Sequence, residues 1–196
     1  MIYVSELYIL EQSLKLSLVD VEKYGFKIDK KFIKKYSNNT KILLNKKPTE
    51  ALVRARKDLP KGYNFSITYG FRSFEEQENI VKKTEEELKK SHPHEWEELL
   101  DRYTGGYKDL KQKKISFMNH RSGNAVDLKL LLNNKEVDLG DVKLNKQDEL
   151  TFFEKKKSLS KKEETIRDNR RLFKEVLEKH GFKYYPKEWW HWGYTK

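Results

Sequence analysis

The sequence predicts an α+β fold, a single domain in which helices flank a small, mainly antiparallel central sheet. Three observations carry this expectation. Tyr63, Phe65, Ile67 and Tyr69 alternate with Asn64, Ser66 and Thr68, the period-two signature of a strand with one buried face. Ser73-Phe74-Glu75-Glu76 and Ser160-Lys161-Lys162-Glu163 are both capping boxes, in which a serine and the glutamate three residues on satisfy each other's backbone N–H groups at a helix start. Between them, the apolar run from Ala125 to Leu132 is followed by Asn133-Asn134, a pair that tolerates the left-handed backbone of a hairpin turn.

Taken in order, the chain opens with Met1 to Val4 as a short strand, and Phe32, Ile33 and Tyr36 share one face of a short helix before a turn at Asn38-Asn39. Pro48-Thr49-Glu50 reads as a helix entry with Thr49 as N-cap, an inward stripe of Leu52, Ala55 and Leu59, and a break at Pro60-Lys61-Gly62. The strand from Tyr63 ends at Gly70, which presents Arg72 between that strand and a helix running from Phe74 toward Lys90. Pro93 starts a further helix, Glu95 to Tyr103, so His92 and His94 at its entry are expected in solvent rather than on a metal. A loop beginning at Gly105-Gly106 runs to Phe117. His120 closes it, the chain turns through Gly123-Asn124, and the next strand sets Ala125, Asp127, Lys129 and Leu131 on one face with Val126, Leu128 and Leu130 toward the core. After the hairpin the chain returns through Lys135 to Leu139. Gly140 to Ser158 is an irregular, charged insert for which Phe152 and Phe153 are the anchors. The helix opened by Ser160 buries Ile166, Phe173, Val176 and Leu177 and stops at Gly181, and Phe182 to Tyr185 leads into Glu188-Trp189-Trp190-His191-Trp192.

Composition narrows the chemistry. At 196 residues the chain is long enough for one sizeable core and short for two. Hydrophobic residues make up 36% and charged residues 37%, a polar balance, yet 13% aromatics argue for a folded, aromatic-rich core. The absence of cysteine excludes thiolate metal sites, cysteine nucleophiles and disulfides, so any metal must use His, Asp or Glu. A net charge of +11 invites a nucleic-acid reading. Its lysines, however, are interleaved with glutamates along the whole chain, as in KKTEEELKK and KKKSLSKKEE, the pattern of solvated helix faces, and no specific nucleic-acid partner is expected. The opening stretch MIYVSELYILEQSLKL has no basic n-region, long apolar run or small-residue cleavage site, so a cytoplasmic protein without a membrane span is expected. The sequence does not give an oligomeric state.

The chemistry centres on Met118 to Leu132 read together with Glu188 to Trp192. His120 stands seven residues before Asp127, and Glu188 and His191 form an E-x-x-H pair. His120, Asp127 and His191 make a set suited to one zinc ion, which in catalytic sites takes three nitrogen or oxygen ligands at about 2.0–2.2 Å and leaves a fourth position to water. Asp127, within an apolar strand, needs a positive neighbour, because a buried carboxylate without one is costly. Glu188 is the nearest carboxylate to a proposed ligand and a candidate proton shuttle. Residues three apart on a flat strand face opposite sides, so Glu188 and His191 share a pocket only if the segment turns, as Pro186 just upstream favours.

His120, Gly123, Ala125 and Asp127 in an H-x-x-G-x-A-x-D pattern, followed far downstream by Glu188-Trp189-Trp190-His191, resemble the zinc D-alanyl-D-alanine peptidases. That family includes the vancomycin-resistance-type D-Ala-D-Ala dipeptidases, D,D-carboxypeptidases and endolysin L-alanyl-D-glutamate peptidases. Asn169-Arg170-Arg171-Leu172, Gly181-Phe182 and Tyr185-Pro186 are similar to the C-terminal block of the dipeptidases, and Gly70-Phe71-Arg72-Ser73 to the family's Tyr-Arg segment. The resemblance covers roughly residues 45 to 194. It implies a hedgehog/D,D-peptidase-like fold with a catalytic core over 45–196 and a pocket-closing region over 1–44. It also implies a zinc-dependent hydrolase in which metal-activated water attacks the D-Ala-D-Ala dipeptide. Glu188 would then be the general base and Arg72 would polarise the scissile carbonyl. Met118, Phe71 and Trp190 are the candidate substrate-binding residues. Met118 stands where the family usually has serine, and Phe71 where it has tyrosine. Two alternatives remain open at the level of sequence: a D,D- or L,D-carboxypeptidase or endolysin acting on peptidoglycan stem peptides, and a non-catalytic basic wall- or nucleic-acid-binding module.

Overall fold

The computed structural model describes residues 16–31, 34, 40–104, 110, 115–140, 152, 153, 156–186 and 188–196. The expectations for Met1–Val4, for Phe32, Ile33 and Tyr36, for Asn38-Asn39 and for most of the 105–114 loop lie outside the described residues. In chain order the elements are β1 (Leu18–Asp20), β2 (Lys27–Ile28), β3 (Leu43–Asn45), α1 (Lys46–Lys57), β4 (Tyr63–Tyr69), α2 (Phe74–Ser91), α3 (Trp96–Thr104), β5 (Ala125–Leu132), β6 (Lys135–Glu136), α4 (Lys161–Lys179), β7 (Phe182–Tyr185) and β8 (Glu188–Tyr194). The fold is α+β, as the alternation and capping signals predict. The main sheet runs β2-β4-β5-β8-β7 with β6 hairpinned onto β5, and β1 pairs with β3 in a separate ribbon. Among the described residues only the β2–β4 pair is parallel.

The sequence signals act locally as expected. Both capping boxes close, Ser73 and Ser160 accepting from the N–H groups of Glu76 and Glu163 while those glutamates accept in return. Each such cap stabilises its helix by about 1 kcal/mol. Asn133 and Asn134 turn the β5–β6 hairpin with φ of 49° and 69°. The entry to α1 differs from expectation. The helix starts at Lys46 with Asn45 as its cap, and Thr49 lies inside it, donating from Oγ1 to the Asn45 carbonyl at 2.8 Å. Pro48 does not set the boundary, because it occupies the first turn, where no backbone N–H is needed.

One face of the sheet carries the core. Phe65, Ile67, Leu128, Leu130 and Trp192 from the strands meet Leu52 of α1 and Phe173 and Leu177 of α4. Phe173 packs against Phe65 and Trp192 at ring distances of 5.7 and 5.3 Å, so the core is aromatic-rich, as composition predicts. Val21, Phe26, Ile42 and Leu44 belong to the same core, so the described part of the first 44 residues is built into it. Helices α2 and α3 pack on one another around a smaller cluster of Val81, Leu88, Leu99, Leu100 and Leu110. Of the insert, Phe153 is buried and Phe152 lies edge-on to Tyr184 at 5.9 Å, while 141–151, 154 and 155 lie outside the described residues. Among the described residues no helix is long and apolar enough to cross a membrane.

Candidate metal centre

The other face of the sheet carries the charged residues, and register alone brings three of them into one row. Asp127 of β5 is paired with His191 of β8 on one side and with Tyr69 of β4 on the other. Tyr69 is buried in the core cluster with Phe65 and Ile67, as alternation predicts. A register shift between Ile67 and Tyr69 pairs it with Asp127, and its ring lies edge-on to His120 at 5.5 Å, so it borders both core and site. Such a bulge inserts an extra residue on one strand and shifts the pairing beyond it.

His120 arrives from a short 3-10 turn, His120–Ser122. Asn119 caps the turn by accepting from the Arg121 N–H at 2.9 Å, and Gly123 ends it at φ 68°. The turn is clamped from behind by Asn45. Its Nδ2 donates to the Ser122 carbonyl and to Asn124 Oδ1, both at 3.0 Å, while its own N–H donates to the Gly123 carbonyl at 2.9 Å. A Cβ on Gly123 would lie 2.9 Å from the Asn45 amide, so only glycine permits this contact.

The three candidate ligands converge. His120, Asp127 and His191 each offer one ligand atom, and these atoms all lie within 4.8 Å of one another. The two imidazole rings stand nearly perpendicular, 4.8 Å apart. His120 Nδ1 donates to the Gly70 carbonyl at 2.7 Å, and His191 Nε2 donates to the Met118 carbonyl at 2.7 Å. A carbonyl only accepts, so each ring must carry its proton on the nitrogen facing that carbonyl. The remaining nitrogens, Nε2 of His120 and Nδ1 of His191, face Asp127 at 3.3 and 2.9 Å.

In neutral rings those two nitrogens present lone pairs to a carboxylate, three acceptors with no donor between them. The arrangement therefore calls for a cation, and the donor set of two nitrogens and a carboxylate oxygen is the one that fits zinc. Burial raises a carboxyl pKa, but both imidazoles outweigh it and hold Asp127 well below the usual carboxylate range. Burial pulls His120 down and keeps that ring neutral, whereas for His191 the Asp127 carboxylate overcomes burial and holds its pKa up.

The segment carrying Glu188 does turn. Between the Tyr184–Trp192 and Tyr185–Glu188 pairs, β7 advances by a single residue while β8 runs back through Trp189, Trp190 and His191. Trp192 Nε1 pins this irregularity by donating to the Trp189 carbonyl at 3.1 Å. Glu188 Oε2 consequently sits 3.9 Å from His191 Nδ1. Burial pushes the Glu188 carboxyl up, with Asp127 adding to it against the opposing charges of His191 and Arg72.

Arg72 is held beside the centre. Its N–H donates to the His120 carbonyl at 3.3 Å, its guanidinium stacks on Tyr69 at 4.5 Å, and Nη1 donates to Gln77. The buried Nε has no hydrogen-bond partner among the described residues. Phe71 donates its N–H to the Leu43 carbonyl at 2.6 Å and lines a small pocket with Leu43, Tyr69 and Glu76. Trp190 is half-buried, edge-on to Trp189 at 5.5 Å and packed against the core cluster. His92 and His94 are exposed, as expected. Sequence reasoning missed Tyr69, Asn45 and the Gly70 carbonyl. Alternation places Tyr69 in the core, correctly, without showing that it also borders the site, and no local pattern marks the other two.

The model of a peptidase family described as D-ala-D-ala dipeptidase matches residues 22–196. No curated protein matches the chain.

Proposed function

This chain belongs to the D-Ala-D-Ala dipeptidase family of metallopeptidases, and from that premise we propose that it hydrolyses the free D-Ala-D-Ala dipeptide. The family is zinc-dependent and acts on D-Ala-D-Ala or peptidoglycan peptides. The observation that carries the reading is the convergence of two carbonyl-anchored imidazoles on one carboxylate, with Glu188 3.9 Å away.

In this reading His120 Nε2, Asp127 and His191 Nδ1 hold the zinc. When bound, zinc polarises the scissile carbonyl and acidifies water to a pKa of about 7. Glu188 takes the proton of the attacking water and returns it to the leaving amine, and a carboxyl whose pKa is raised by burial is suited to both transfers. Arg72 lies where its charge reaches His120 and Glu188, and its buried Nε is available to the developing oxyanion. One such preorganised donor is worth about 3–4 kcal/mol. Substrate contact is assigned to Phe71, Met118 and Trp190, supported by their adjacency to Arg72 and His191. A pocket-closing role for residues 1–44 is supported by Ser17, whose N–H donates to Asn45 Oδ1 at 2.9 Å and so ties that region to the ligand turn.

The test is hydrolysis of free D-Ala-D-Ala, a pentapeptide stem and purified cell wall by zinc-loaded and chelator-stripped protein. Release of D-Ala from the dipeptide, lost on chelation and restored by zinc, is expected. Cleavage of stem or wall with the dipeptide untouched would replace this reading with the carboxypeptidase or endolysin one. A protein without stoichiometric zinc that instead binds wall or DNA salt-dependently would be the non-catalytic module.

A further inference from the structure

We propose that Gly193 is a positioning residue for the metal centre, whose missing side chain lets the Met118 carbonyl reach His191 and fix which imidazole nitrogen faces the metal. The inference rests on the zinc reading above and concerns a residue outside the ligand set and the catalytic pair.

The two imidazoles are oriented by carbonyls of unlike origin. His120 is held by Gly70, the residue that directly follows β4, where the Leu43 carbonyl lies 2.3 Å from the position of a Cβ. That acceptor is backed by neighbouring backbone. His191 is held by Met118, which belongs to no strand or helix and precedes the ligand turn. The Phe117–Met118 segment rests on β8 at Gly193, two residues beyond His191 and on the same face of the strand. A Cβ at Gly193 would lie 2.3 Å from Met118 Sδ, 2.7 Å from Phe117 Cδ2 and 3.0 Å from the Phe117 carbonyl oxygen. Gly193 has no positive φ, and the backbone pairing of Ala125 with Gly193 is open to any residue. The requirement for glycine is therefore the approach of Phe117 and Met118, not a turn.

With a side chain at position 193 the Met118 and Phe117 side chains must move aside, and the Phe117 carbonyl at 3.0 Å carries the displacement into the backbone of the segment. The Met118 carbonyl then leaves His191 Nε2, and the ring loses the acceptor that directs Nδ1 toward Asp127 and the metal. Loss of an outer partner of a metal-bound histidine typically costs about 10–100-fold in metal affinity.

The experiment compares wild type, Gly193→Ala and the double variant Gly193→Ala/Met118→Ala. Zinc affinity is measured by competition with a chromophoric chelator, and the His191 Nε2–H signal by nitrogen-15 NMR of the zinc-loaded protein. Gly193→Ala should bind zinc about 10–100-fold more weakly and lose or shift the His191 Nε2–H signal, with the His120 Nδ1–H signal in place. The double variant, which removes the nearest of the three contacts and leaves the two of Phe117, should recover part of the affinity and the signal. It decides the matter if the single variant does not fold. Wild-type affinity and an unchanged His191 signal in Gly193→Ala would overturn the inference, as would a folded double variant no better than the single one. Failure of the wild-type protein to bind zinc would instead overturn the functional reading beneath it.

Discussion

Asp127 and Lys129 stand two positions apart on the same face of β5, and the two positions solve the problem of a half-buried charge differently. Lys129 donates to Asp29 and Glu136, both at 2.9 Å, an ordinary arrangement of one cation between two anions. Asp127 also has two close partners, but both are imidazoles whose N–H groups are already donated to backbone carbonyls. Near Lys129 the charges are matched by the chain itself. Near Asp127 both imidazoles already give one N–H to a backbone carbonyl, so the matching charge comes from a second proton on His191, whose pKa Asp127 holds up, or from a bound cation. A structural ion pair and a candidate metal centre thus share a strand face, and they differ in where the donors point rather than in how many charged residues are present.

The strongest way to break this contrast is Asp127→Ala. If Asp127 is a metal ligand, zinc affinity should fall by more than the roughly 100-fold typical of an outer partner, and hydrolysis should vanish with it; metal retained at wild-type affinity would make Asp127 a structural partner like Asp29. Glu188→Gln separates proton transfer from metal binding. The rate should drop about 10²–10⁴-fold with zinc stoichiometry unchanged, and loss of the metal in this variant would place Glu188 among the ligands. Arg72→Ala should lower kcat by about 10²–10³-fold with little change in KM, whereas an effect confined to KM would make Arg72 a ground-state binding residue. Two positions along the strand, Lys129→Met should leave zinc binding intact and cost no more than about 1 kcal/mol of stability in thermal or denaturant unfolding.

The smallest effect is one of pH. Burial raises the Asp29 carboxyl, but the Lys31 N–H and the Lys129 ammonium outweigh it and hold its pKa below the ordinary value. A carboxyl depressed in the folded state stabilises fully above its unfolded pKa of about 3.9 and loses that contribution as pH falls through the lower folded value. The stability gap between wild type and Asp29→Asn should therefore be present at pH 6 and shrink below pH 4 in urea titrations. A gap unchanged by acid would mean that the Asp29 charge takes no part.

Much of this molecule was legible along the chain. The Tyr63–Tyr69 strand, both capping boxes, the Asn133-Asn134 hairpin and the faces of β5 follow from local rules that tertiary contacts did not overrule. The His120, Asp127 and His191 trio was legible for another reason: an aspartate on an apolar strand is an anomaly that asks for a cation. Other features were not legible, because they depend on contacts between distant segments. The Thr49 cap was misread because Asn45, tied to the ligand turn, fixes where α1 begins. Alternation placed Tyr69 in the core, where it is, but could not show the register shift that also sets it beside Asp127 and His120. The bend that brings Glu188 to His191 was stated only as a condition, and the pairing of β7 with β8 meets it.

The sequence by itself determined the ingredients: no thiolate, two histidines and an aspartate able to hold zinc, and a carboxylate near one of them able to move a proton. Tertiary structure decided their orientation. The two carbonyls that choose the exposed nitrogen of each imidazole come from Gly70 and Met118, 50 and 73 residues from the rings they hold. An imidazole has two similar nitrogens, and only a backbone acceptor delivered by the fold can make one a donor and leave the other free for a metal.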